Sequence, residues 1–243
     1  MDIRKKLLMP RSQLEKHGAI TIVAFGDSVT HGALRAGEIN YDTVYWNLLR
    51  RKINKLRSYV PVNVINSAIG GTTAKTSVAR IDTQVLSHNP DMVIVCFGLN
   101  DVNSPLSEYV EGLAEIFKRC LDFGTELIFM TPNMLNTYVA PDTAPEHIKY
   151  AHKMAEIQNS GVMDEYMDAA RELCLKMGVP VCDCYAKWKE LSQTEDTTML
   201  LANRINHPKA EMHELFADSL FELIFDGRSL AELKDESTMY SGN

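Results

Sequence analysis

Short, largely apolar runs alternate with amphipathic segments along most of this chain. An apolar run of this length, ended by glycine, proline or a polar turn, is typical of a strand buried on both faces. Such runs predict five strands, at residues 19–25, 62–66, 91–97, 126–130 and 179–183. Apolar residues at helical spacing predict helices at 41–57, 74–86, 106–123, 147–177 and 211–225, of which 147–177 is one long or one broken helix. Polar stretches at 133–145 and 194–206 predict loops.

Strands that alternate with helices predict an α/β fold, in which a parallel sheet is covered by helices on both faces. The length of 243 residues suits a single domain, and nothing in the sequence marks a boundary within it. We expect the core at about 19–226, with 1–18 and 234–243 at the periphery. In such sheets ligands bind beyond the carboxyl ends of the strands. Residues that follow the first four strands, after Phe25, Asn66, Phe97 and Met130, are therefore the first candidates for a functional site.

Composition narrows the classes of function. The net charge is −7 and basic residues form only short clusters, so nucleic-acid binding is not expected. The sequence lacks the roughly 20 apolar residues of a membrane span and the apolar core of a signal peptide. An odd count of five cysteines, two of them in apolar runs, predicts buried free thiols and a cytoplasmic location. The spacing of Cys182 and Cys184 is not that of a zinc site, so no metal is expected.

Four short motifs stand at the predicted strand ends and before the last helix. Gly26-Asp27-Ser28 follows the first strand, and a serine hydroxyl becomes a nucleophile when a base takes its proton. Gly70-Gly71 follows the second strand, and Gly98-Leu99-Asn100-Asp101 follows the third. His207 precedes Pro208, and a neutral histidine is the usual general base near neutral pH. Taken singly, each motif has an ordinary interpretation as a helix cap, a turn or a surface histidine.

In this order, the four motifs resemble the sequence blocks of the SGNH hydrolases, a branch of the GDSL lipase/esterase group. The resemblance runs from about residue 20 to 225. It implies a flavodoxin-like three-layer α/β/α sandwich with a five-stranded parallel sheet, the SGNH hydrolase fold. It also implies that Ser28 is the nucleophile and His207 its base. The backbone N–H groups of Ser28 and Gly71 and the side-chain amide of Asn100 would form the oxyanion hole, and no cofactor would be needed.

One position departs from the family pattern. The last block usually reads D-x-x-H, with the aspartate orienting the histidine, but Arg204 stands three residues before His207. Arginine cannot accept the imidazole proton. The alternatives are a Ser–His dyad with the ring held by a backbone carbonyl, a side-chain oxygen of Asn203 or Asn206, or the carboxylate of Asp183 after the fifth strand.

Other polar residues near the motifs have two interpretations each. Asp27 and Asp101 are candidates to brace the site through hydrogen bonds, or they cap turns. His31 is a candidate to line the pocket, or it is an exposed turn residue. His213 is expected to face solvent or to pack on its neighbours.

The sequence thus predicts a serine ester hydrolase that acts through an acyl-enzyme on small or carbohydrate O-acyl esters, with deacetylation as a specific case. The loop 133–145 would shape the acyl or alcohol pocket. The alternative is a binding protein of the same fold that has lost catalysis, favoured by Arg204, a cation that could also select an anionic ligand. A nucleotide binder is the weakest class, because the glycine-rich phosphate motifs are missing from the strand–helix turns. The sequence does not specify an oligomeric state.

Overall fold

The computed structural model describes residues 2–228 and 231–233. Its centre is an all-parallel sheet of five strands in the order β2-β1-β3-β4-β5. The strands are β1 (Ile20–Gly26), β2 (Val62–Asn66), β3 (Met92–Cys96), β4 (Glu126–Met130) and β5 (Val181–Cys182). The predicted α/β fold with five parallel strands is confirmed. The strand order reverses between β1 and β3, which is where such sheets bind ligands.

Eleven α-helices within the described residues surround or extend this sheet. They are α1 (Ile3–Leu8), α2 (Arg11–His17), α3 (Ser28–His31), α4 (Tyr45–Leu56), α5 (Ala74–Ser77), α6 (Ile81–Gln84), α7 (Leu106–Phe123), α8 (Ile148–Asn159), α9 (Val162–Met177), α10 (Cys184–Leu191) and α11 (His213–Phe225). Helix α4 packs against α11, whereas α7 packs against α5 and α9. These two groups form the outer layers of the sandwich, and none of the helices in the described part of the chain is both long and apolar enough to cross a membrane.

Two predicted helices are interrupted in the structure. The segment 74–86 forms α5, a 3-10 turn at Val78–Arg80 and α6 instead of one helix. This segment is rich in β-branched residues, threonine and serine, which have low helix propensity. The segment 147–177 is broken into α8 and α9 at Gly161, whose φ of 86° lies in the left-handed region that favours glycine. The short helices α1, α2, α3 and α10 were not predicted.

Within the N-terminal segment 1–18, which the sequence analysis placed at the periphery, α1 packs into the core whereas α2 has no buried residue. Ile3 and Leu7 are fully buried and belong to the same apolar cluster as the sheet. The Lys6 ammonium donates to both carboxylate oxygens of Asp91, at 2.9 and 2.7 Å, and the same carboxylate accepts from the backbone N–H of Thr21. The spacing of Ile3 and Leu7, one helical turn apart, was the available signal. Residues 234–243, also predicted to be peripheral, lie outside the described residues.

Candidate active site

The turn after β1 presents Ser28 at the carboxyl edge of the sheet. A Cβ at Gly26 would lie only 2.5 Å from the carbonyl oxygen of Cys96, so only glycine fits this close approach. The Asp27 carboxylate accepts from the backbone N–H of Val29 at 3.0 Å and thereby caps α3, which begins at Ser28. Two features readable in the sequence, a glycine and a capping aspartate, therefore fix the position of the serine hydroxyl.

His207 meets this hydroxyl although 179 positions separate the two residues in the chain. Its Nε2 lies 2.9 Å from the Oγ of Ser28, and its Nδ1 lies 3.2 Å from the carbonyl oxygen of Leu34. A carbonyl can only accept, so Nδ1 carries the proton and Nε2 is free to accept from the serine. Burial lowers the pKa of His207, while the bond to Leu34 raises it in part. The ring is thus held neutral, in the tautomer that a general base requires.

The carbonyl of Leu34 belongs to a turn, residues 33–40, that we call the 33–40 loop. Leu34 N–H donates to the carbonyl of Glu38 at 2.9 Å, and Asn40 N–H donates to the carbonyl of Gly32 at 2.8 Å. The Nε of Arg35 donates to the carbonyl of Ala202 at 3.1 Å, which ties the loop to the chain before His207. Three hydrogen bonds therefore hold the 33–40 loop, which carries the carbonyl that orients the His207 ring.

Asn203 and Asn206 shape the turn before the histidine and do not hold its ring. The Oδ1 of Asn203 accepts from the backbone N–H groups of Ile205, Asn206 and His207, each at 3.0 Å. The backbone carbonyl of Asn206 accepts from Asn133 Nδ2 at 2.9 Å. Among the alternatives drawn from the sequence, the backbone carbonyl is the one that contacts the ring.

Asp183 lies elsewhere, so its proposed approach to His207 is wrong. Its carboxylate accepts from the backbone N–H of Ala186 at the start of α10 and pairs with Arg171 at 2.9 Å. It also accepts from the hydroxyl of Thr131 at 3.0 Å. The residue is a helix cap with an ion pair, which the position Asp183 directly before α10 could have indicated.

Arg204 has a structural role that the sequence did not predict. Its backbone adopts a φ of 63°, and its side chain turns away from the imidazole of His207 to pair with Asp142, with Nη2 2.9 Å from the carboxylate. Its Nη1 donates to the backbone carbonyls of Met199 and Leu201, at 3.0 and 2.7 Å. The guanidinium therefore ties the 133–145 loop to the turn before His207. It is engaged by the protein itself and is not a free cation awaiting a ligand.

Gly71 and Asn100 reach the same cleft as the serine and the histidine. This cleft has a volume of about 400 Å³ and is lined by Ser28, Gly71, Asn100 and His207 among others. The Nδ2 of Asn100 donates to the carbonyl of Thr72 at 3.1 Å. The four residues that the family resemblance singled out thus converge at one edge of the sheet, at the point where the strand order reverses.

Two buried carboxyl groups lie beneath Asn100. The Oδ2 of Asp27 is 3.5 Å from Asn100 Nδ2, and the Oδ1 of Asp101 accepts from the backbone N–H of Ala74 at 2.8 Å. Burial raises the pKa of Asp27 to about 7, and the neighbouring charge of Asp101 adds to the shift. Burial raises the pKa of Asp101 to about 6 against the opposing bond from Ala74. Asp27 thus caps α3, and Asp101 links the turn after β3 to the start of α5.

The two further histidines have different surroundings. His31 lines the cleft, and its Nε2 lies 3.2 Å from the hydroxyl of Tyr41. His213 is buried, accepts from the backbone N–H of Tyr45 at 3.3 Å and stacks on the Tyr45 ring. Burial lowers the pKa of His213 to about 3, so this ring packs as a neutral group. Within residues 2–228 and 231–233, no three side chains are grouped as metal ligands.

Comparison with known proteins places this chain in a family. The sequence matches the GDSL-like Lipase/Acylhydrolase family over residues 24–215, more than three quarters of the chain. It is 24% identical to an uncharacterized lipoprotein, YqeF, of Bacillus subtilis (strain 168), over 92% of this chain and 96% of that protein.

Solved structures share the fold. The acetylxylan esterase Axe2 of Geobacillus stearothermophilus superposes with a TM-score of 0.66 at 21% identity, covering 87% of this chain and 95% of that one. A putative GDSL-like lipase of Parabacteroides merdae superposes with a TM-score of 0.68 at 15% identity, covering 84% and 95%. Solved forms of Axe2 include catalytic mutants in which a serine or a histidine is replaced by alanine. With the family match over most of its length, the chain belongs to the GDSL-like lipase/acylhydrolase family and is a carboxylic ester hydrolase.

Proposed function

We propose that this protein is a serine acylhydrolase that removes small acyl groups, acetyl in particular, from carbohydrate or other small alcohols through an acyl-enzyme. The observation that carries the proposal is the 2.9 Å distance between Ser28 Oγ and His207 Nε2. This distance lies within the hydrogen-bond range expected of a nucleophile and its base. The tautomer fixed by Leu34 leaves Nε2 ready to accept the proton.

In the proposed reaction, Oγ of Ser28 bonds to the ester carbonyl carbon while Nε2 of His207 takes the Oγ proton. The carbonyl electron pair moves to oxygen, where the backbone N–H groups of Ser28 and Gly71 and the Asn100 amide stabilise the negative charge. The intermediate collapses, the bond to the alcohol oxygen breaks, and His207 returns the proton to that oxygen. Water, deprotonated by His207, then releases the acyl group as a carboxylic acid and restores Ser28. No cofactor enters any of these steps.

The imidazolium formed in each step faces a carbonyl dipole in place of a carboxylate. The Leu34 carbonyl fixes the ring orientation and tautomer, but it supplies only a partial negative charge. Loss of an orienting aspartate costs about 10⁴ in kcat where nothing replaces it. Because the carbonyl replaces the orientation and part of the charge, we expect an active enzyme whose rate is below that of a full triad.

The shape of the cleft and the fold neighbours support small or carbohydrate esters. A volume of about 400 Å³ lies at the lower part of the range of small-molecule sites. The cleft wall includes Ala33, Ala36, Gly37 and Gly70, whose small size leaves room for the alcohol part of an ester. The Geobacillus stearothermophilus protein of the same fold is an acetylxylan esterase, which favours an acetylated carbohydrate as the substrate class.

The rival function, a binding protein without catalysis, was suggested by Arg204. Since the guanidinium of Arg204 is used by Asp142 and two backbone carbonyls, its presence in place of an aspartate has a structural explanation. Arg204 therefore no longer supports the alternative function of a binding protein without catalysis.

Hydrolysis of p-nitrophenyl acetate, butyrate and octanoate tests the proposal. We expect Ser28→Ala and His207→Ala to abolish the enzymatic rate, Ser192→Ala (an exposed serine directly after α10) to leave it unchanged, and the acetate to be the best substrate. A fluorophosphonate should label the wild type and not Ser28→Ala. Equal rates for wild type and Ser28→Ala, together with no labelling, would overturn the proposal.

The cytoplasmic location stays a prediction. The five cysteines are buried and free, as the sequence predicted, which fits a reducing compartment. The Bacillus subtilis relative is, however, named a lipoprotein. Cell fractionation with an antibody against the native protein decides between the cytosol and a membrane-attached form.

A further inference from the structure

The cleft around Ser28 and His207 has an unusual charge for this acidic chain. The chain carries a net charge of −7, yet no carboxylate lies among the described residues that line the cleft. The basic side chains among the described residues of the cleft wall are one arginine and three histidines: Arg35, His31, His147 and His207. No acidic side chain therefore forms part of the wall of this cleft among the described residues.

Arg35 is the fixed cation of this cleft. It sits on the 33–40 loop next to Leu34, whose carbonyl orients His207. Its Nε is used in the bond to the carbonyl of Ala202, which anchors the side chain. Among the described residues, no ion pair joins its guanidinium to a carboxylate, although its charge adds to the bond from Arg204 in lowering the pKa of Asp142. The two terminal nitrogens therefore form an anchored fork, the arrangement that binds carboxylates through paired hydrogen bonds.

A second, smaller pocket continues the cleft past Arg35. It has a volume of about 250 Å³ and shares Arg35, His147 and Asn203 with the cleft. Two acidic residues, Asp142 and Glu146, line this second pocket, but the Asp142 carboxylate is paired with Arg204. Arg35 thus stands where the cleft around Ser28 adjoins the second pocket.

We propose that Arg35 binds a carboxylate carried by the substrate, so that the preferred esters are anionic. This inference rests on the proposed function. Since an acetyl group carries no charge, the carboxylate of an acetyl ester belongs to the alcohol part. The substrate class is therefore O-acetylated acidic sugars, such as uronic acids, or similar hydroxy-carboxylates. Arg35 acts as a specificity-determining residue, whereas Arg204 is excluded from this role by its own partners.

A pair of matched acetyl esters tests this assignment: 3-acetoxybenzoate, which is anionic, and its neutral methyl ester. The quantity measured is the ratio of kcat/KM for the anionic ester to that for the neutral one. Any difference in intrinsic reactivity of the two esters cancels when this ratio is compared between proteins. We expect Arg35→Gln to lower the ratio about three- to fivefold, mainly through KM of the anionic ester, as the loss of an ion pair at an exposed site would.

Three controls test whether a change in this ratio is caused by the positive charge of Arg35. Arg35→Lys keeps the charge but loses the Nε bond, and should retain most of the preference. Arg11→Gln removes an exposed charge on α2, remote from the cleft, and should leave the ratio unchanged. The wild-type ratio should also fall as salt is raised from about 0.05 to about 0.5 M, because salt screens the attraction.

An unchanged ratio in Arg35→Gln, with both esters still hydrolysed, would overturn the inference and leave the proposed function standing. If the wild type hydrolyses neither ester and a fluorophosphonate does not label Ser28, the proposed function fails and the inference fails with it. The two failures are therefore distinguishable in the same set of assays.

Discussion

Replacing Arg204 tests whether this residue supports the turn before His207 or merely fills the place of a missing aspartate. Arg204→Met removes two hydrogen bonds to the backbone carbonyls of Met199 and Leu201, in a side chain that is only 10% exposed. Methionine fills similar space but leaves both carbonyls without a donor. Each hydrogen bond contributes about 1–1.5 kcal/mol net, so the loss of both should cost about 2–3 kcal/mol.

For a protein of this size, that loss corresponds to a fall in Tm of about 4–12 °C, measurable by calorimetry and by urea unfolding. Asp142→Asn provides the matched control, because it removes the ion pair and leaves the bonds to the carbonyls intact. The Asp142 carboxylate is 58% exposed, so its contribution is screened by solvent and its loss should lower Tm much less. An equal fall in Tm for the two variants would refute the reasoning that the carbonyl bonds dominate.

Arg204→Asp tests which group orients His207, because it restores the D-x-x-H spacing of the family. If the spacing alone mattered, kcat/KM for p-nitrophenyl acetate would rise. The structure predicts a fall, since Nδ1 of His207 is already bonded to Leu34 and the new carboxylate would face the carbonyls of Met199 and Leu201. A rise in kcat/KM of about tenfold or more would refute the assignment of Leu34 as the orienting group.

Three further predictions concern pH and the buried charges. Burial holds the pKa of His207 below its usual 6.5, and the base must be neutral to act, so the acid limb of kcat/KM against pH should lie below 6.5; a limb above that value contradicts the assignment. The carboxyl of Asp27 has a pKa of about 7 when folded against 3.8 as the ordinary value, so the unfolded chain loses this proton first and stability falls as pH rises from about 4 to about 7. Urea unfolding at the two ends of this window should show a smaller fall for Asp27→Asn than for the wild type, and an equal fall would count against burial as the cause. Lys6→Met leaves the carboxylate of Asp91 buried without its cation and should lower the free energy of unfolding by about 3–5 kcal/mol. Lys5→Met, at an exposed neighbour, should lower it by less than about 0.5 kcal/mol. Similar losses for the two variants would contradict a role for the buried pair.

The sequence by itself determined the sheet and the positions of the candidate residues along it. Short apolar runs are buried when they form strands of a parallel sheet that helices cover on both faces, and five such runs predicted the five strands of the described structure. Because parallel strands present their carboxyl ends at one edge, the order of the motifs along the chain was enough to place Ser28, Gly71 and Asn100 together. Their catalytic roles stay predictions until Ser28→Ala is assayed.

Only the tertiary structure decided what orients His207 and what Arg204 does. Every residue carries a backbone carbonyl, so the acceptor at Leu34 has no signature in the sequence and is selected by the fold of the 33–40 loop. The Arg204 side chain contacts the carboxylate of Asp142, which lies 62 positions away in the chain, and the Arg204 backbone adopts a φ of 63°. The spacing of residues in the sequence predicts neither feature. The buried ion pair of Lys6 and Asp91 was also decided by the tertiary structure alone. The local sequence pattern predicts which helices and strands form, whereas a contact between distant segments depends on how those elements pack.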